Sequence, residues 1–192
     1  MYCSTRRRTS WSSGSKPTRC PIRGCGGWTR SAPELANAGR ELLYQNGVGL
    51  AFLGTVRGDG GPRVHPVGPI LVEDGLYTLL PVSEKLADLV RDGRFALHSF
   101  PAAADADAFY VTGHVRFPAD LALRRSVAAA FLAERGLSAP PPGFARQTLV
   151  EFLVESCVLS WDGSYVTWAT SHTPQTPTVS SRTTSPGAHR PS

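Results

Sequence analysis

The chain has 192 residues, 41% hydrophobic and 18% charged, enough for one domain with its own core and some sequence left over. A net charge of +5 invites a nucleic-acid partner, but residues 1–30 hold seven Arg or Lys and no acid, and residues 164–192 add only Arg182 and Arg190. Residues 31–163 therefore set eleven basic residues against fifteen acidic ones, a net of −4, so attraction to a phosphate backbone would come from the ends alone.

Residues 1–30 show neither helical nor strand periodicity and cannot build a core. They lack the apolar stretch of a secretory signal, and they resemble a transit peptide only in being Arg- and Ser-rich and acid-free. Disorder, or translated sequence upstream of the true start, is the expectation. Ser31 and Glu34 form a capping-box pattern, Pro33 suits a first turn, and Leu35, Ala38, Leu42 and Leu43 recur at helical spacing. A helix is predicted over 33–44, ending at Asn46-Gly47.

The period then changes to that of strands. Residues 49–56 form one strand, Gly58-Asp59-Gly60-Gly61 a hairpin turn, and residues 62–72 the returning strand. Glu73-Asp74-Gly75 turns the chain into a strand over 76–80. Ser83 can cap a short helix over 83–90 with Leu86, Leu89 and Val90 as its buried stripe, while Asp88, Arg91, Asp92 and Arg94 read as a solvated helix end. Two strands follow, 94–100 and 109–116, then a helix over 118–134 with Leu123, Val127, Ala130 and Phe131 inward. The last convincing strand is 149–160, whose alternation of Val150, Phe152 and Val154 is muddied at Ser156 and Cys157. Beyond Trp168 the sequence is Ser/Thr/Pro-rich and predicts no structure.

The cysteines form no framework. Cys3, Cys20 and Cys25 lie in the basic head without zinc spacing, and Cys157 sits in an apolar run as a small core residue. His65, His98 and His114 lie on strands, but their spacing does not converge and no carboxylate pair accompanies them, so no metal is expected. No apolar stretch approaches the roughly 20 residues of a membrane helix, and a reducing cytoplasm is the expected setting.

Residues 55–67 (TVRGDGGPRVHPV), Leu76-Tyr77-Thr78-Leu79, Ser83 with Lys85, and residues 88–97 (DLVRDGRFAL) occur in an order that resembles the flavin-binding split barrels of the pyridoxamine 5′-phosphate oxidase family. Coverage is roughly residues 33–161. The resemblance implies a mainly β (α+β) fold: a six-stranded antiparallel split barrel with about three flanking helices over 31–168, between disordered segments 1–30 and 169–192. It further implies FMN at a homodimer interface. Arg63, His65, Pro66 and Val67 would line the cofactor, Leu79 would lie beside it, and Ser83 and Lys85 would hold the phosphate. A helix N-terminus supplies free N–H groups and a positive dipole end to an anion, which gives the last assignment its own physical sense.

Each residue keeps a plainer reading: Ser83 as a cap, Lys85 as a solvated charge, Arg63 and His65 as one wet face of a strand. Where many family members carry a second basic residue this chain has Glu84, which Arg63 or Arg94 could offset if the fold brings them close. The implied function is an FMN- or deazaflavin-dependent oxidoreductase acting on a small molecule, with no side chain marked as acid, base or nucleophile. The alternative is a non-catalytic protein that binds or stores a flavin, a deazaflavin or haem.

Overall fold

The computed structural model describes residues 32–101, 107–161 and 164–170, and the backbone of 178–181. The basic head and most of the tail lie outside the described residues. Among the described residues three α-helices, α1 (Pro33–Leu43), α2 (Glu84–Arg91) and α3 (Leu121–Glu134), flank nine strands. These are β1 (Ala51–Val56), β2 (Pro62–Val67), β3 (Ile70–Val72), β4 (Gly75–Leu80), β5 (Arg94–Ser99), β6 (Ala108–Arg116), β7 (Thr148–Trp161), β8 (Ser164–Ala169) and β9 (Thr178–Ser181).

The strands form one antiparallel sheet in the order β2-β1-β5-β6-β7-β4-β3, with β8 on β7 and β9 on β8. The expected single strand over 62–72 is two. Gly68-Pro69 interrupts it, and β2 and β3 become the opposite edges of the sheet. Edges joined by a two-residue link can both be satisfied only if the sheet curls round on itself, which is the physical origin of the barrel. Pro62 and Pro66, which have no N–H to donate, lie on the edge strand where that loss is tolerated.

β7 is where the sheet splits. Residues 148–151 pair with β4 and residues 156–161 with β8, while β6 runs along the other side. Thr112 faces Ser156 but Gly113 faces Val154, so Glu155 is the extra residue of a β-bulge. That insertion explains the broken alternation in the sequence: Val150 and Phe152 point into the core before it, Cys157 and Leu159 after it. A Cβ on Gly113 would stand 2.0 Å from the carbonyl oxygen of Leu153, so the bulge requires glycine.

The main core fills the curl of the sheet. Leu53, Leu97, Phe109, Val111 and Leu159 are fully or almost fully buried, and α1 closes one side through Leu35, Leu42 and Leu43. The helix comes so near that a Cβ on Gly39 would lie 2.5 Å from the Phe109 ring. A second cluster, Ile70, Tyr77, Leu79, Val127, Phe144 and Leu149, packs α3 against the other face of β4, so β4 is buried on both faces.

Three local expectations need correction. The N-cap of α1 is Ala32, without a side-chain cap, and Ser31 lies outside the described residues. Val90 is 67% exposed, because α2 turns Leu86, Asp88 and Leu89 inward instead. Within the stretch expected to be structureless, Thr178–Ser181 pairs with β8, Val166 opposite Val179.

Candidate functional site

The β1–β2 hairpin places alternate residues on a common face. Ala51, Leu53 and Thr55 stand opposite Val67, His65 and Arg63, all on the inner side, while Pro62, Val64 and Pro66 point outward. The tight turn between the strands is held by Gly60 in a left-handed conformation (φ 83°) and by the Gly61 N–H, which donates to Asp59 Oδ1 at 3.0 Å. Strand pairing therefore fixes Arg63 and His65 side by side on the same face, two residues apart.

Helix α2 packs against β1 and brings its charges to that face. Asp88, 6% exposed, accepts hydrogen bonds from Thr55 Oγ1 at 3.0 Å and from Arg63 Nε at 2.8 Å. The other arm of the Arg63 guanidinium donates from Nη1 to Glu84 Oε2. Arg91 lies 3.8 Å from Asp88 and donates to the carbonyl of Val56. Burial alone would raise the Asp88 pKa, but the hydrogen bonds from Thr55 and Arg63, with the charges of Arg63 and Arg91, outweigh it and hold the carboxyl below its ordinary value. The hydrogen bond to Asp88 raises Arg63 in turn.

Asp88 is thus no solvated helix end, as the charge pattern around it suggests; it is the buried anchor of this network. The available signal was its spacing from Glu84 and Arg91, which puts all three on one helical face. Its partner Thr55 carries no comparable signal, since only the folded hairpin brings it near. Arg94 does not reach the site. It pairs with Asp92, whose carboxyl the Arg94 hydrogen bond holds down at about 2.

Ser83 occupies the N-cap position of α2 but does not cap it. Its hydroxyl donates to the carbonyl of Pro81 at 3.0 Å, leaving the first turn without a side-chain cap. Lys85 reaches back across the junction and donates to the carbonyl of Pro66 at 3.2 Å. Its partial burial lowers its pKa. On the residue of β2 before Pro66, His65 Nε2 is a buried side-chain nitrogen that finds no hydrogen-bond partner among the described residues.

Of the seven expected site residues, Arg63 and the Pro66 carbonyl on β2 contact α2, through Glu84 and Asp88 and through Lys85, next to Ser83 at the helix start; His65 lies between them on the strand, and the Val67 side chain belongs to the main core. Leu79 is elsewhere: its side chain, 8% exposed, lies in the second cluster against α3.

A nine-stranded antiparallel sheet whose two ends are one chain link apart, split along β7, has clear counterparts among solved structures. The fold is the split barrel of pyridoxamine 5′-phosphate oxidase-like proteins. The split barrel here superposes on a Clostridium acetobutylicum protein related to general stress protein 26 of B. subtilis, of the pyridoxinephosphate oxidase family. The TM-score is 0.53 at 12% identity, over 71% of this chain and 94% of that one. A NimC/NimA family protein from the same organism matches with TM-score 0.53 and 17% identity over 70% of this chain and 94% of that one. The heme binding protein of Mycobacterium smegmatis matches with TM-score 0.53 and 14% identity over 78% of this chain and 60% of that one. No family model and no curated protein matches the chain. Likeness at these identities is likeness of split barrel, and function must be argued from the site.

Proposed function

We propose that this split barrel binds a flavin, FMN in the first place, at the junction of β2 and α2, and acts as a flavin-dependent oxidoreductase on a small molecule. The observation that carries the reading is His65 Nε2, a buried polar atom without a hydrogen-bond partner among the described residues, on the strand whose next residue, Pro66, accepts from Lys85 near the uncapped start of α2. Lys85 and the first-turn N–H groups of α2 would hold the phosphate, and Ser83 needs only a rotamer change to add its hydroxyl. His65 would meet a polar edge of the ring system, and Pro66 and Val67 would border it. The bound flavin would supply the electron transfer. The chain would supply position, anion binding and exclusion of water.

A second copy of the chain would cover the outer face of β1, β2 and β5, where Phe52 and Phe100 stack with centroids 4.2 Å apart and Val64 is 64% exposed. The reading requires neither nucleic acid nor a membrane, and no helix among the described residues is long and apolar enough to cross one. It suits a cytoplasmic protein.

The same imidazole nitrogen favours one alternative, a non-catalytic haem, flavin or deazaflavin carrier, because a histidine nitrogen with no hydrogen-bond partner among the described residues is also a metal-ligand donor. The absorbance of the purified protein separates the readings. Flavin bands that bleach with reduced nicotinamide support the enzyme; flavin or deazaflavin bands that do not bleach support a carrier, as does a Soret band. A protein that takes up none of these ligands overturns both.

A further inference from the structure

Arg63 is shared between two carboxylates that differ sharply in setting. Asp88 has a side chain 8% exposed and is also tied to Thr55, whereas the Glu84 side chain is 74% exposed and holds only the outer arm of the guanidinium. Asp88 therefore orients Arg63, and Glu84 neutralises the one arm that faces away from the core. The charged groups at the junction are Arg63 and Lys85 against Glu84 and Asp88, two cations and two anions, a net of zero, while Arg91 lies in the last turn of α2. A phosphate monoester brings about −1.5 to −2 near neutral pH, so the site as built under-compensates it.

We propose that Glu84 is a specificity-determining residue, a weak internal competitor that occupies Arg63 and limits how strongly the site rewards a doubly charged phosphate. This rests on the reading that the β2–α2 junction takes a phosphate-bearing flavin. Exposed ion pairs are weak, so a phosphate can displace Glu84 from Arg63, but it does so against the pair and against the repulsion of a carboxylate on the first residue of the helix that binds it. A ligand without the phosphate never meets Glu84 and pays neither cost. The residue thereby narrows the preference for FMN over its unphosphorylated form, and removing its charge leaves Arg63 still oriented by Asp88 with Nη1 available to the anion.

The test is titration of FMN and of riboflavin into the full chain and into Glu84→Gln, with melting temperatures in inorganic phosphate as a second readout. Glu84→Gln is expected to tighten FMN about three- to tenfold, to leave riboflavin within about twofold, and to make inorganic phosphate more stabilising than in the unaltered chain. Equal effects on the two flavins, or none on either, with flavin still bound, overturn the proposal and leave the flavin reading standing. Binding of neither flavin by either protein, with no stabilisation by phosphate, overturns both.

Discussion

Thr55 on β1 donates its hydroxyl hydrogen bond to Asp88 on α2 at 3.0 Å, and both residues are buried. This contact, with the Arg63 Nε bond to the same carboxylate, ties the helix that begins the candidate site to the hairpin that ends it. A buried carboxylate is tolerated there only because two donors and two guanidinium groups face it.

The pH dependence of stability should show this carboxylate. The Asp88 pKa is lower in the folded chain than its unfolded value near 4. Its contribution is therefore fully present above about pH 4 and is lost as pH falls through the folded value. Asp88→Asn should melt at a lower temperature than the unaltered chain at pH 7, and the gap should narrow in melts taken below about pH 4. A gap that stays constant between pH 7 and pH 3 would remove Asp88 from the account of acid stability.

Gly39→Ala should destabilise the barrel although alanine is the better helix former. The gain in propensity is about 1 kcal/mol, but the new methyl would stand 2.5 Å from the ring of fully buried Phe109, and overpacking of this kind costs about 1–3 kcal/mol. Urea unfolding should show a lower midpoint; a higher one would mean that α1 does not lie so close to β6.

Gly113→Ala should cost more, about 3 kcal/mol. Its Cβ would meet the Leu153 carbonyl at 2.0 Å, a backbone atom that cannot turn aside as a ring can. The bulge at Glu155 would have to shift, and with it the inward phase of Cys157 and Leu159. Denaturant melts of the two glycine variants side by side give the ranking directly.

Lys85→Ala should weaken FMN far more than riboflavin, if Lys85 meets the phosphate. A hydrogen bond to a charged group is worth about 1.5–3 kcal/mol, or roughly ten- to a hundredfold in dissociation constant. Fluorescence titration with both flavins decides it, and equal losses would take the phosphate from Lys85.

Cys157 should resist alkylation in the folded chain. Burial pushes its thiol up to about 12, against a weaker lowering by a hydrogen bond from the Trp168 backbone, and the side chain is 1% exposed. Peptide mass mapping after iodoacetamide at pH 8 should find it unmodified until denaturant is added; rapid labelling of the native protein would show that β7 and β8 open there.

Much of this was legible in the residues because it is local. Helical spacing in α1 and α3, the Gly-rich β1–β2 turn and the alternation on β1 each follow from a few neighbouring side chains, and the order of motifs was enough to indicate the barrel. What depended on distant partners was not legible. Residues 62–72 read as one strand because nothing local shows that the chain must pass from one sheet edge to the other at Gly68-Pro69. The phase change in β7 has its cause across the sheet, in Gly113.

Asp88 looked solvated because its anchors, Thr55 and Arg63, are 33 and 25 residues away. By itself, then, the sequence determined the elements, the barrel class and the residue types available to hold an anion. Only the tertiary structure decided that Arg63 is spoken for by two carboxylates, that a buried nitrogen of His65 has no partner among the described residues, and that Leu79 faces a separate core. Those outcomes are set by which strand edges and helix faces come into contact, and burial and charge pairing are properties of that contact.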